Sequence, residues 1–354
     1  MLIAIPGLRS DDAEGAMRRL GGGHVGRTWS TSATAATALA SLLTGRYAEA
    51  HGLVKRSDQL ASNVRTLARD LATAGRKTIL RAGRAPHTGD KNLWAGYSDA
   101  GFATTGGFRP TAEHVLQATV DALTAAGDVP LFATVVLGDI IPPYLPRADA
   151  WRAHWPEDAR PPWSALNGRQ ELQRQRSRNK PLTDEEHAYW RALRRGKVDE
   201  VLGALTPFLD AVAALPGQRT RVVIVGLGGV DPLEAPATSP DLRALQAPVV
   251  ITGASPALLP TSPTDLTDLH ATLRAMSGLP PSSAPGHRFD VTEGPRWTDA
   301  AYAVSSHRWD VMVTPKATLL GDRTTGSVSW VVPPADGAPT GAWTPRGDAP
   351  GAVP

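Results

Sequence analysis

The feature that most constrains this chain is a series of short, uninterrupted apolar runs set between segments of helical period. LIAIP at 2–6, KTILRAG at 77–83, PLFATVVL at 130–137, RVVIVG at 221–226 and APVVITG at 247–253 show no alternation of apolar and polar residues. A strand buried on both faces reads this way, and such strands belong to parallel sheets covered on two sides. Helical stretches lie between them, at about Ser32 to Leu43, at Leu60 to Ala74 and near 111–126. In the second of these, Leu60, Val64, Leu67 and Leu71 share one face, and Gly75 stands where a left-handed C-terminal residue is needed. Thr183 and Glu186 have the spacing of a capping box ahead of a long helix that turns Tyr189, Leu193, Val201, Leu205, Leu209 and Val212 inward. A later helix carries Leu266, Leu269, Leu273 and Met276 as its apolar stripe.

This alternation predicts an α/β fold with a mainly parallel, doubly wound sheet flanked by helices. Beyond about residue 295 only strand-like segments remain, AYAVSS, RWDVMVTP and GSVSWVV, which predict a small C-terminal antiparallel sheet. The expected organisation is an α/β core over 1–294, a small β subdomain over 295–332 and a mobile tail over 333–354. Within the core, residues from about 142 to 182 lose periodicity and become rich in Pro, Arg and Trp, so they read as an insertion loop.

Composition narrows the chemistry. The 354 residues contain no cysteine, which excludes disulfides, thiolate metal sites, iron–sulfur clusters and a cysteine nucleophile. A formal charge of +3 does not demand a polyanionic partner, although it leaves room for a local basic patch. No apolar run is long enough to span a membrane, and MLIAIPGLRSDD lacks the basic and apolar parts of a signal peptide, so a cytoplasmic protein without a membrane segment is expected.

The segment SLLTGRYAEAHGL at 41–53, followed by a helix and then LATAGRKTIL, resembles the sulfatase branch of the alkaline phosphatase superfamily. IPGLRSDDAEG at 5–15 resembles the exit of that family's first strand. PLFATVVLGDIIPPYLP at 130–146 resembles its central strand and following loop, and RVVIVGLGG at 221–229 its late metal-binding strand. LQAPVVITGAS, TDLTDLHATLRAMSGLP and AVSSHRWDVMVTP follow in the family's order, so the similarity runs from about residue 2 to 315. It implies the same doubly wound sheet and small C-terminal sheet.

The resemblance also implies a divalent metal held by carboxylates and a formylglycine, Ser or Thr nucleophile. Such a site neutralises the anionic charge that builds on the equatorial oxygens during ester hydrolysis. At the positions that match, this chain carries different residues. Two metal-binding aspartates of the first strand exit correspond to Pro6 and Gly7, and the nucleophile position falls on Ala35. The pattern that follows the nucleophile becomes Thr37, Ala38 and Leu39, without its arginine. In the central loop Asp139 is kept while the histidine becomes Ile141, and the late metal-binding pair becomes Gly228 and Gly229. The expectation is therefore a vestigial pocket with no metal, no cofactor and no catalytic residue, in a sulfatase-like pseudoenzyme that serves as a binding or assembly component.

Other polar groups keep rival readings open. Ser32, Thr34 and Thr37 sit near a helix N-terminus, where a hydroxyl either caps the helix or attacks an ester with relocated ligands such as Asp11, Asp139 or Asp231. Arg46 and His51 match scaffold positions of the family. Asp11 and Asp12 read as turn or cap residues. Arg174, Arg176 and Arg178 in the insertion, with Arg194, Arg195 and Lys197 further on, interleave with Trp151, Trp155, Trp163 and Trp190. That pattern reads either as a solvated loop or as a surface for a protein partner, self-association or, as the lesser alternative, nucleic acid.

Overall fold

The apolar runs become the middle of one large sheet. A computed structural model describes residues 1–12, 20, 22–32, 34–54, 58–83, 92–102, 110–164, 182–216, 220–228, 245–252, 264–281, 302–305, 309–313, 318–322 and 327–331. In chain order the strands of the main sheet are β1 (Leu2–Ile5), β2 (Gly22–Trp29), β3 (Lys77–Ala82), β4 (Asp99–Phe102), β5 (Leu131–Val136), β6 (Val223–Gly226), β7 (Gln246–Thr252) and β8 (Thr264–Asp265). Their spatial order is β4-β3-β5-β1-β6-β7-β2-β8. Strands β4, β3, β5, β1 and β6 run parallel, β7 runs against both β6 and β2, and β8 pairs parallel with β2.

Helices α1 (Ala35–Thr44), α2 (Ala48–His51), α3 (Leu67–Thr73), α4 (Ala112–Ala126), α5 (Ala148–Arg152), α6 (Asp184–Ala213) and α7 (Leu266–Met276) cover the two faces. Strand β1 explains why no alternation was visible in its sequence. Ile3 and Ile5 face a core shared with α4 and α6, Leu2 and Ala4 face a core shared with α1, α3 and α7, and all four are fully buried. Leu2, Ile3 and Ile5 each contribute roughly 1.5–3 kcal/mol through area removed from water.

Local chemistry sets the helix ends as expected in several places. Thr183 Oγ1 accepts from the Glu186 N–H at 3.2 Å while Thr183 N–H donates to Glu186 Oε2 at 2.7 Å, so the capping box forms. Gly75 takes φ +78°, and behind it Arg76 N–H reaches Leu71 O at 3.0 Å, closing the end of α3. That helix begins at Leu67, later than its periodicity suggested, because Thr66 caps it by accepting from Arg69 N–H. Leu60 and Val64 are buried from the preceding loop instead.

The C-terminal part forms a separate four-stranded antiparallel sheet of β9 (Tyr302–Ser305), β10 (Trp309–Val313), β11 (Thr318–Asp322) and β12 (Ser327–Val331). Strand β11 is additional to the three expected. The 333–354 segment lies outside the described residues.

The described part of the insertion differs from an irregular solvated loop. It contains α5, and Trp151, Trp155 and Trp163 each stand edge-on to the fully buried Tyr189 ring of α6, with centroids 5.3, 5.2 and 5.4 Å away. Trp190 is likewise buried, tilted against Tyr144 at 4.9 Å. These contacts fasten the insertion to α6, with Trp151 buried and Trp155 and Trp163 half-buried. Lys197 and Arg194 are also buried, so the basic run around them is divided between core and solvent.

Candidate functional site

In an open parallel sheet, ligands bind beyond the carboxyl ends of the strands, where β1, β5 and β6 lie side by side here. Several of the positions expected to form the vestigial pocket follow these strands. Gly7 follows β1, the 3₁₀ turn Gly138–Ile140 follows β5, Gly228 follows β6, and Thr34 and Ala35 begin α1. Gly229 and Asp231 lie outside the described residues.

Main chain fills the edge. Gly7 N–H donates to Gly228 O at 2.9 Å, Leu227 N–H to Ile5 O at 3.1 Å and Gly228 N–H to Leu8 O at 3.2 Å, so the two strand exits continue to pair after the sheet ends. Gly7 adopts φ +85°, and a Cβ at that position would lie 1.9 Å from the Ile140 carbonyl oxygen. Gly226 is equally confined, with Leu8 O and Pro248 Cδ each 2.5 Å from where its Cβ would be. Ser30 Oγ donates to Leu227 O at 2.6 Å, joining the approach to α1 to the same knot of backbone.

Arg194 brings a charged side chain into this edge. Arg194, only 4 % exposed, donates through Nη2 to Gly7 O at 2.9 Å and grips both carboxylate oxygens of Asp12. Arg9 lies on the other side of the same carboxylate at 3.7 Å and contacts Asp11 at 3.5 Å. Sequence reading treated Asp12 as a turn residue and Arg194 as part of a basic surface. A visible signal was available, because Arg194 stands four residues from both Trp190 and Val198 within the buried stripe of α6.

The side chain of Asp139 is 5 % exposed, accepts from Ala112 N–H at the start of α4 at 3.1 Å, and lies 3.5 Å from Lys197 Nζ. Burial pushes its carboxyl above the usual range despite the ammonium beside it. Ile141 is half-buried at the end of that turn. Thr34 precedes α1 with extended backbone, and its hydroxyl makes no cap; instead Thr34 N–H donates to Ser32 Oγ at 3.1 Å. Thr37 is buried within the first turn. Arg46 is half-buried after α1, with its N–H on Thr44 Oγ1 at 3.3 Å.

Two further histidine and carboxylate arrangements have structural explanations. Ser41 Oγ and His51 Nε2 are 3.2 Å apart, the separation of a nucleophile and its base. However, His51 Nδ1 accepts from Leu53 N–H at 3.1 Å, so a neutral ring carries its proton on Nε2 and offers Ser41 a donor rather than a base. Burial holds this histidine down to about 4. Asp265 is fully buried and accepts from Tyr47 Oη at 2.6 Å, Thr267 N–H at 2.7 Å and Thr267 Oγ1 at 2.6 Å, which makes it the N-cap of α7 and the anchor of the loop after α1.

The metal implied by the resemblance does not fit these residues. Pro6, Gly7 and Gly228 offer no side-chain donor, the Gly7 carbonyl is engaged by Arg194, and Asp139 is engaged by Ala112 and Lys197. Among the described residues no group of three His, Asp or Glu side chains converges to hold a metal ion. Nor is any described helix long and apolar enough to cross a membrane.

The mostly parallel eight-stranded sheet with its helical layers matches the fold of alkaline phosphatases and sulfatases. The chain is similar to a phosphonate monoester hydrolase from Silicibacter pomeroyi, with a TM-score of 0.72 and 16 % identity over 95 % of this chain and 89 % of that one. The corresponding enzyme of Agrobacterium radiobacter gives 0.70 and 16 % over 94 % and 88 %. A 2-O GAG sulfatase gives 0.66 and 14 % over 94 % and 84 %. No protein-family model and no curated protein matches the sequence.

Proposed function

We propose that this chain is a catalytically silent relative of the sulfatase and phosphonate hydrolase fold, acting as a binding or assembly component. The observation that carries the reading is Gly7, where any side chain would run into the Ile140 carbonyl oxygen, 1.9 Å from the Cβ position. Hydrolysis in this fold needs an exposed nucleophile and concentrated positive charge at one point. Here Ala35 supplies no nucleophile, and the buried guanidiniums of Arg194 and Arg9 are already paired with Asp12 and Asp11. The partner is a protein or a second copy of the chain, met through Arg174, Arg176 and Arg178, which lie outside the described residues.

The test is metal content and turnover on one sample. Purified protein, stripped with chelator and then dialysed against calcium, magnesium, manganese or zinc, is analysed for bound metal and assayed on p-nitrophenyl phosphate, p-nitrophenyl sulfate and a p-nitrophenyl phosphonate. The expected result is no stoichiometric metal and no turnover above buffer. Stoichiometric metal together with hydrolysis that Asp231→Ala abolishes would overturn the reading in favour of a hydrolase with relocated ligands.

A further inference from the structure

Early in α6, His187, Arg191 and Arg195 follow one another at intervals of four residues and therefore share one face of the helix. That face is a wall of a cavity of about 660 Å³. The loop after β1 forms another wall, and His154 of the insertion closes the side through a 2.6 Å contact from Nε2 to Asp199.

The cavity holds two kinds of arginine. Arg9 and Arg194 are buried and committed to Asp11 and Asp12. Arg191 and Arg195 are exposed, and among the described residues neither side chain has a hydrogen-bond or ion-pair partner. Two like charges one turn apart repel, and an oxyanion placed between two guanidinium forks relieves that repulsion while taking up their donors.

The rest of the lining limits what the anion can be attached to. Small-molecule sites of this volume are usually apolar and aromatic. Here, among the described residues, Val198 is the sole apolar residue of the lining and no Phe, Tyr or Trp contributes. Asp184 at the start of α6, Asp199 and the remaining imidazole nitrogen of His154 instead present acceptors suited to hydroxyl groups. We propose that this cavity binds a small phosphorylated polyol, its phosphate held between Arg191 and Arg195 and its hydroxyls held by Asp184 and Asp199. The site lies beside the closed strand exits and shares Arg9, Asp12 and Arg194 with them, and the proposal goes beyond the functional reading above. Metal-dependent turnover would sink that reading and leave this one standing, whereas failure to bind here leaves that one untouched.

Isothermal titration calorimetry at low salt with glucose 6-phosphate, inorganic phosphate and glucose tests it. Glucose 6-phosphate is expected to bind more tightly than inorganic phosphate, and glucose not at all. Arg191→Gln or Arg195→Gln should weaken glucose 6-phosphate by about tenfold or more, each having lost a charged fork. Arg65→Gln, an exposed arginine outside the cavity lining, should leave binding unchanged. Absence of binding in the millimolar range overturns the proposal, as does equal weakening by Arg65→Gln, which would indicate net charge alone. Equal affinity for inorganic phosphate and glucose 6-phosphate refutes the polyol. Matching thermal midpoints of the variants exclude misfolding as the cause of any loss.

Discussion

Replacing Gly7 by alanine asks whether the exit of β1 is as full as its geometry requires. Two costs add. At φ +85° an L-residue sits in the left-handed region, which costs about 1–2 kcal/mol. The new methyl would then lie 1.9 Å from Ile140 O and 2.9 Å from Ile140 C, atoms of the main chain that cannot rotate aside, so the 3₁₀ turn must move. Overpacking of this kind adds about 1–3 kcal/mol, for a combined loss of about 2–5 kcal/mol. Gly75 supplies the control, because it has nearly the same φ of +78° with nothing within 4 Å of its Cβ position. Gly75→Ala should therefore cost only the backbone share, about 1–2 kcal/mol. The difference between the two variants, about 2 kcal/mol, isolates the steric term and is read from urea unfolding midpoints at constant slope. If both variants lose the same stability within about 0.5 kcal/mol, the exit has room for a side chain and the argument for a closed pocket fails.

Three further outcomes follow from the buried charges and hydrogen bonds. Arg194→Met leaves Asp12 buried without its main partner and should lower stability by about 3 kcal/mol, with Arg194→Met/Asp12→Asn recovering part of it in the same denaturation assay. Tyr47→Phe removes one donor from the buried Asp265 carboxylate and should cost about 1–3 kcal/mol without altering the far-ultraviolet circular dichroism. His51 and His270 are both held down to about 4 by burial, against an unfolded value near 6.5, so between these limits the unfolded chain binds the protons first. Their stabilisation is complete above pH 6.5 and is lost as the pH falls toward 4. Asp139 and Asp265, whose carboxyls burial pushes up, act with the opposite sign starting from the low end of that window. The measurement is therefore the comparison of slopes: His51→Gln and His270→Gln should each flatten the acid loss, and unchanged slopes would refute the assignment.

The strands that sequence revealed are those buried on both faces. β1, β5 and β6 read as apolar runs because helices cover each side. β4 was not legible, since its sequence DAGF lies at the sheet edge, where Arg81 folds over Asp99 at 2.9 Å and no two-sided burial selects apolar residues. β2, with the sequence GGHVGRTW, is rich in glycine and carries neither period, so its pairing to β7 emerges only in three dimensions. For the site, residue identities at Gly7 and Gly228 spoke to missing donors, and the backbone that fills their place left no mark in the sequence. Composition flagged the tryptophans of the insertion but could not give their direction. The Tyr189 ring that gathers three of them lies some twenty-five or more residues further along the chain.

The guanidinium of Arg194 at the exit of β1 has a consequence for how the edge of the sheet responds to its surroundings. A metal ion would bind there by mass action, with an occupancy that rises and falls with free concentration and competes with every chelator. A cation carried on the chain's own side chain has no dissociation constant. Its local concentration is fixed by the covalent link to α6, so the bond to Gly7 O and the clasp on Asp12 last as long as the helix stays folded. The geometry of the strand exits is thereby insulated from the ionic composition of the medium.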